Sequence, residues 1–274
     1  MQERNPEAHM DAADLILERP EPGIAVLTLN RPDARNALRL SLIRELSAAL
    51  DALAIDPSIA VIVLTGSGTV FCAGHDLKEM TAHRKDADGG RAFFAETMTS
   101  CAGMMQAIVN SPKPVIAAVQ GLATAAGCQL VASCDLAVAA HEARFATPGV
   151  QIGLFCSSPM VALSRNVSRK HAMEMLLTGE AISADDAAKY GLINRAVPAS
   201  EVLGEALGFA RAIASKSKAT VAFGKAAFYR QLEMPLEEAY TYAAGIMVMN
   251  MMDENAREGI GAFLEKRPPD WKDA

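Results

Sequence analysis

Two short loops carry the residues best suited to chemistry. The first is Ala73-Gly74-His75-Asp76, inside the stretch Phe71-Cys72-Ala73-Gly74-His75-Asp76-Leu77-Lys78-Glu79-Met80. It follows the apolar run 61–64 and the turn Thr65-Gly66-Ser67-Gly68. The second spans 121–127, between the apolar run 115–119 and the short apolar helix expected over 128–133. In both, a buried strand feeds a loop of Ala and Gly that opens a helix. Small residues let a ligand approach the backbone closely. The first amides of a helix have no intrahelical partner, so they can bind a ligand oxygen. Taken alone, the second loop reads equally as a tight β-α-β packing joint. Other chemistries fit less well. A triad of Ser157, His75 and Asp76 fails because adjacent His and Asp do not align as a base and its orienter. Gly66 and Gly68 lack the third glycine and the later acid of a dinucleotide site. No metal-ligand spacing is present.

Together the two loops resemble the paired signatures of the enoyl-CoA hydratase/isomerase family, the crotonases. The resemblance runs from Val26-Leu27-Thr28-Leu29-Asn30-Arg31-Pro32 to Ala262-Phe263-Leu264-Glu265-Lys266-Arg267. It implies an α/β fold: a flexible tail over 1–13, a ββα spiral core over 14–200 and a helical trimerisation region over 201–274. It also implies that each loop gives one backbone N–H to an oxyanion hole around a thioester carbonyl. By position these are the amides of His75 and Ala126. Two preorganised donors must meet at one developing charge, and losing one typically costs ~3 kcal/mol. The backbone does this work, so the His75 ring is read as an oriented loop histidine and Asp76 as a turn former.

The resemblance places coenzyme A, as part of the substrate, over the loop 30–38. Arg35 and Ala37 are expected to face it, with Ala73, His75, Asp76 and Leu77. Arg31 is read as a solvated loop charge. Phe263 and Lys266 match positions near the adenine and its phosphate, often from a neighbouring subunit. No separate cofactor and no metal are implied. Trimers, pairing into hexamers, are the implied assembly.

One departure matters for mechanism. Family hydratases use two glutamates to move protons across a C–C double bond. Here the first falls at Gln129 and the second at Gly149. Neither exchanges a proton near neutral pH. Ser157, beside the expected helix start at Pro159, is read first as an N-cap and second as a water holder. The departure is shared with an animal subgroup of the family, through residues 74–79, 146–150 and 153–157. The animal form is mitochondrial. Residues 1–13 show no targeting pattern, so the expectation is a cytoplasmic protein. The function implied is an acyl-CoA enzyme of the hydratase class, a lyase of fatty acid metabolism. Decarboxylation of a malonyl-type thioester and non-catalytic acyl-CoA binding are the alternatives.

The rest of the chain must position these loops. Its 274 residues, 51% of them hydrophobic, can bury a large core. A net charge of −6 argues against nucleic acid, and no apolar run reaches the ~18 residues of a membrane span. Five cysteines without paired spacing suggest reduced thiols. Apolar spacing predicts helices over 40–53, capped by Ser41, and over 91–110. A mobile polar loop is expected over 81–90. Helices are expected over 201–215, 218–231, 235–252 and 256–266, with a Met-rich run at 247–252.

Overall fold

The computed structural model describes residues 13–272. The expected flexible tail lies, but for Ala13, outside the described residues. β1 (Leu15–Glu21) and β2 (Gly23–Leu29) form an antiparallel hairpin. α1 (Leu40–Ile55) then crosses over to β3 (Ile59–Gly66), which pairs with β2 in parallel. β3 is buried along its first six residues, so its sequence is a continuous apolar run and not an alternation. α1 lays Leu42, Ile43, Leu46, Leu50 and Leu53 into the core. Ser41 does not cap it. The helix starts earlier, with Arg39 at the cap position. Glu79 accepts a hydrogen bond from the Leu40 N–H at 3.0 Å and so supplies the missing cap from another element.

Next come β4 (Val70–Cys72), α2 (Leu77–His83) and α3 (Arg91–Asn110). They are followed by β5 (Val115–Val119), β6 (Leu122–Thr124) and α4 (Ala126–Ser133). A third unit holds β7 (Leu136–Ala140), β8 (Arg144–Ala146), a 3-10 turn (Pro148–Ile152) and α5 (Pro159–Asn166). The core closes with α6 (Arg169–Thr178), β9 (Ile182–Ser183), α7 (Ala184–Tyr190) and β10 (Arg195–Val197). The first strand of each unit joins a six-stranded sheet, ordered β1-β2-β3-β5-β7-β10. The second joins a four-stranded sheet, ordered β4-β6-β8-β9. Successive ββα units thus stack as turns of a spiral. The segment expected as a polar loop over 81–90 begins as helix and continues as turns. α2 runs to His83, and Asp88 accepts from the Gly90 and Ala92 N–H groups at 2.9 and 2.8 Å.

Four helices follow: α8 (Val202–Ala214), α9 (Lys218–Gln231), α10 (Leu236–Met252) and α11 (Glu254–Glu265). α8 packs against β2, β3, β5 and β7. Lys225 ties α9 to the core. Its Nζ donates to Asp135 Oδ2 at 2.7 Å, to Ile108 O at 2.9 Å and to Lys113 O at 3.0 Å. The Tyr229 hydroxyl donates to Asp135 Oδ1 at 2.9 Å. Among the described residues no helix is long and apolar enough to cross a membrane.

Candidate active site where two loops meet

β4 and β6 run parallel, with Cys72 opposite Ala123, so the loops that follow them arrive side by side. A Cβ on Gly74 would lie 2.9 Å from Ala125 Cβ and 3.3 Å from Ala126 N. Gly74 also has φ +86°, a value that L side chains resist. A Cβ on Gly127 would lie 2.1 Å from Cys72 O. Only glycine permits this approach.

Among the described residues, neither the His75 N–H nor the Ala126 N–H donates a hydrogen bond. Ala126 is the first residue of α4, where no intrahelical acceptor exists. Ala125 precedes it with φ 51° and ψ −117°, a strained conformation for a residue with a Cβ. This turn sets the direction of the peptide that carries the Ala126 N–H. Nothing in an alanine signals it beforehand.

The loop 30–38 docks alongside. Ala73 N donates to Arg35 O at 3.0 Å, Leu38 N to Gly74 O at 2.8 Å and Asp76 N to Leu38 O at 3.0 Å. Buried Asn36 fastens the loop. Its Nδ2 donates to Ser67 O at 2.9 Å and Val70 O at 2.7 Å, and its Oδ1 accepts from Arg31 N at 2.8 Å. Arg35, Ala37, Ala73, His75, Asp76 and Leu77 therefore share one neighbourhood. Arg31 is not a solvated charge. Its side chain is 16% exposed and pairs with Asp76 at 3.1 Å and Asp14 at 3.4 Å. Asp76 also accepts from Lys78 N at 3.1 Å and Glu79 N at 3.4 Å, capping α2. It is a turn former. α11, which carries Phe263 and ends at Lys266, packs on α10, and among the described residues no hydrogen bond or ion pair ties Phe263 or Lys266 to the loops.

Gln129 sits one turn beyond Ala126 on α4. It is buried, and its Nε2 donates to Ser158 Oγ at 3.2 Å. Ser158 Oγ lies 3.4 Å from Gln129 Oε1 and donates in return. Ser158 occupies the cap position of α5 but makes no capping bond. Ser157 is exposed and donates to Phe155 O at 3.4 Å. The hydroxyl beside Gln129 thus belongs to Ser158. Gly149 is buried in the 3-10 turn. A Cβ there would sit 3.0 Å from both Cys156 Sγ and Leu154 O, so a larger residue would require these neighbours to shift by a few tenths of an ångström.

The titratable groups nearby are poor acids and bases. Burial holds the His75 imidazole below its ordinary value of 6.5, so it is neutral at pH 7. Its Nε2 is sealed from solvent and has no partner. Burial pushes the Cys128 thiol up to about 12 and raises Cys156 as well, so neither is a thiolate. Among the described residues no cluster of His, Cys, Asp and Glu could hold a metal. What remains is two free amides aimed by a strained turn, with an uncharged amide and hydroxyl behind them.

Stacked ββα units with two amide-bearing loops at one sheet end define a known class. The chain belongs to the enoyl-CoA hydratase/isomerase family, whose profile matches residues 19–274. The mouse mitochondrial enoyl-CoA hydratase domain-containing protein 3 is 48% identical over 94% of this chain and 84% of its own. The crystal structure of the human protein of that name has a TM-score of 0.89 at 46% identity, covering 94% of this chain and all of that one. A Mycobacterium smegmatis enoyl-CoA hydratase structure gives 0.90 at 52% identity, over 95% and 99% of the two chains. The crotonase fold and the likeness to the animal subgroup hold as expected. The cytoplasmic location does not. The mouse relative, like those from human and Xenopus laevis, is named mitochondrial, which points away from the cytoplasm.

Proposed function

We propose that the chain binds acyl-CoA thioesters and stabilises a thioester enolate between the backbone N–H groups of His75 and Ala126. The observation that carries this is the pair of unpartnered amides brought together at Gly74 and Ala125. In this reading coenzyme A lies over Arg35, Ala37, Ala73, Asp76 and Leu77. Phe263 and Lys266 approach its adenine end from a neighbouring subunit. The reaction is of the lyase type, with hydration disfavoured because Gln129 and Gly149 replace both carboxylates. Calorimetry with acetyl-CoA and a longer thioester tests the binding. No heat of binding at millimolar ligand would sink it.

The Gln129–Ser158 pair favours decarboxylation of a malonyl-type thioester as a second reading. Neither group is charged, so neither repels a substrate carboxylate. The C–C bond breaks, CO₂ leaves, and the electron pair it leaves behind passes into the enolate, so no base is needed. A turnover assay over malonyl-type and enoyl thioesters separates the two reactions. Tight binding without turnover of either leaves an acyl-CoA binding protein.

A further inference from the structure

The peptides behind the two free N–H groups are polarised by different means. Ala126 opens α4, and Ala125 O accepts from Gln129 N at 3.0 Å. The peptide carrying the Ala126 N–H is therefore the head of the α4 hydrogen-bond ladder, where the aligned dipoles favour an anion. His75 has no such support. It precedes Asp76, the cap of α2, and so stands outside that helix. The next residue along the chain carries a carboxylate, which repels an enolate oxygen.

A guanidinium takes the place of the helix. Arg31 Nη1 donates to Ala37 O at 2.5 Å. That carbonyl shares its peptide with the Leu38 N–H, which donates to Gly74 O at 2.8 Å. Gly74 O in turn shares its peptide with the His75 N–H. Both peptides are trans, so the C=O and N–H of each point in opposite directions. A line of two peptides thus runs from the Arg31 cation to the His75 N–H, which points away from Leu38. Asp76 N donates to Leu38 O at 3.0 Å, so residue 38 grips His75 from both sides. Hydrogen bonds from an ionised donor are stronger than neutral ones, and bonds in a chain polarise one another by ~10–30% each. Arg31 Nη2 also donates to Asp76 Oδ2 at 3.1 Å, which offsets the carboxylate beside the amide. Asp14 lies 3.4 Å from Arg31 Nε and 2.6 Å from Arg39 Nη2. Two cations here balance two anions, and loss of the Arg31 charge leaves the group net negative.

We infer that Arg31 is a positioning residue for the oxyanion site. Through the two linked peptides it orients and polarises the His75 N–H, and it shields the developing enolate from Asp76. The inference rests on the acyl-CoA reading above and adds the residue that sets the strength of one of its two donors.

The test compares the full wild-type chain with Arg31→Gln, which is polar but uncharged, and Arg31→Lys, which keeps the cation. In ligand-free protein labelled with nitrogen-15 histidine, the His75 amide proton should move upfield in Arg31→Gln and stay near its wild-type position in Arg31→Lys. With acetyl-CoA carrying carbon-13 at the carbonyl, the infrared C=O band of the bound thioester should lie below that of the free one. Arg31→Gln should move it back toward the free value. Calorimetry adds the affinity for acetyl-CoA relative to coenzyme A, which has no acyl carbonyl. That ratio should fall about twofold or more in Arg31→Gln, the lower range for one hydrogen bond. A His75 proton and a carbonyl band that stay in place in Arg31→Gln overturn the inference. So do equal changes in Arg31→Gln and Arg31→Lys, which would mark a packing role alone. If wild type binds no thioester, the acyl-CoA reading falls and the oxyanion role with it, and the His75 amide proton alone decides whether the relay exists. Should Arg31→Gln fail to fold, Asp14→Asn decides. Removing an anion from the same guanidinium should move the His75 proton and the carbonyl band the opposite way, and no movement overturns the inference.

Discussion

The amide nitrogen of Gln129 lies 3.2 Å from the hydroxyl of Ser158, and both groups are uncharged. In the proposed reading, Gln129 takes the position of the first acid/base of a two-glutamate hydratase. Each such group contributes ~10²–10⁴-fold to rate. Crotonyl-CoA hydration by this chain should therefore be slower than by a two-glutamate enzyme by about 10⁴-fold or more. A steady-state assay checks it. Turnover near that of an efficient hydratase would refute the prediction. Restoring both carboxylates should fail at Gly149, where the new Cβ meets Leu154 O and Cys156 Sγ at 3.0 Å. Gln129→Glu should fold, while Gly149→Glu should lose about 1–3 kcal/mol to overpacking.

Ala125 holds the peptide of the Ala126 amide in a conformation that suits glycine, with φ 51° and ψ −117°. Ala125→Gly should raise stability by up to about 1 kcal/mol in urea denaturation. Ala125→Val should lower it, because a β-branched residue tolerates positive φ least. A destabilised glycine variant would mean that the turn carries no strain.

Much of the six-stranded sheet and of the helices was legible because burial writes periodic or continuous apolar patterns. β3 is a run of six buried apolar residues, and α1 shows its inward face at 42, 43, 46, 50 and 53. The four-stranded sheet was not legible. β4, β6 and β8 have three residues each, too few for an alternation, and β6 lies inside the stretch 121–127 read as a small-residue turn. Yet these strands aim both amide loops. Loop composition and family resemblance pointed to His75 and Ala126. No local signal pointed to the strain at Ala125, to Asn36 fastening the 30–38 loop or to burial of Arg31. Each depends on partners distant in the chain, as Asn36 does on Ser67 and Val70.

Lys225 is a further case, since it reads as an ordinary helix charge but is 6% exposed and bonded to Asp135. Burial lowers its pKa, and Asp135 opposes that shift. Lys225→Met would leave the Asp135 carboxylate without its cation. Breaking a buried pair from one side typically costs about 3 kcal/mol or more. Tyr229→Phe, which removes one hydrogen bond, should cost about 1 kcal/mol. Urea midpoints measure both. A Lys225→Met protein as stable as wild type would show that the cluster does not anchor α9.

His75 should make stability depend on pH. Its folded pKa lies below 6.5 because burial disfavours the imidazolium. On acidification the unfolded chain takes up this proton before the folded chain does. The unfolded state then binds more protons, so stability rises with pH in this window. The contribution is complete above 6.5 and is lost as pH falls from there toward the folded value. Denaturation at about pH 7.5 and about pH 5 should show the fall, and His75→Phe should show less of it. An equal fall in both proteins would count against a buried, neutral ring.

The C-terminal helices present more apolar surface than one chain can cover. On α10, Val248 is 65% and Met252 82% exposed, and on α11 Phe263 is 82% and Leu264 74% exposed. Large apolar side chains gathered on neighbouring helices mark an interaction surface. Copies of one chain usually cover such a surface by closed symmetry. Light scattering at micromolar concentration should therefore show a trimer or a hexamer. Val248→Glu combined with Met252→Glu should shift the mass downward, because burying two carboxylates in an apolar contact is unfavourable. The same variant should weaken coenzyme A binding if Phe263 and Lys266 reach the nucleotide across the interface. Lys266→Ala alone should weaken it only modestly, as a solvent-exposed charge contact does. Wild-type protein that stays monomeric, with affinity for acetyl-CoA unchanged in the double variant, would show that this face serves neither assembly nor ligand.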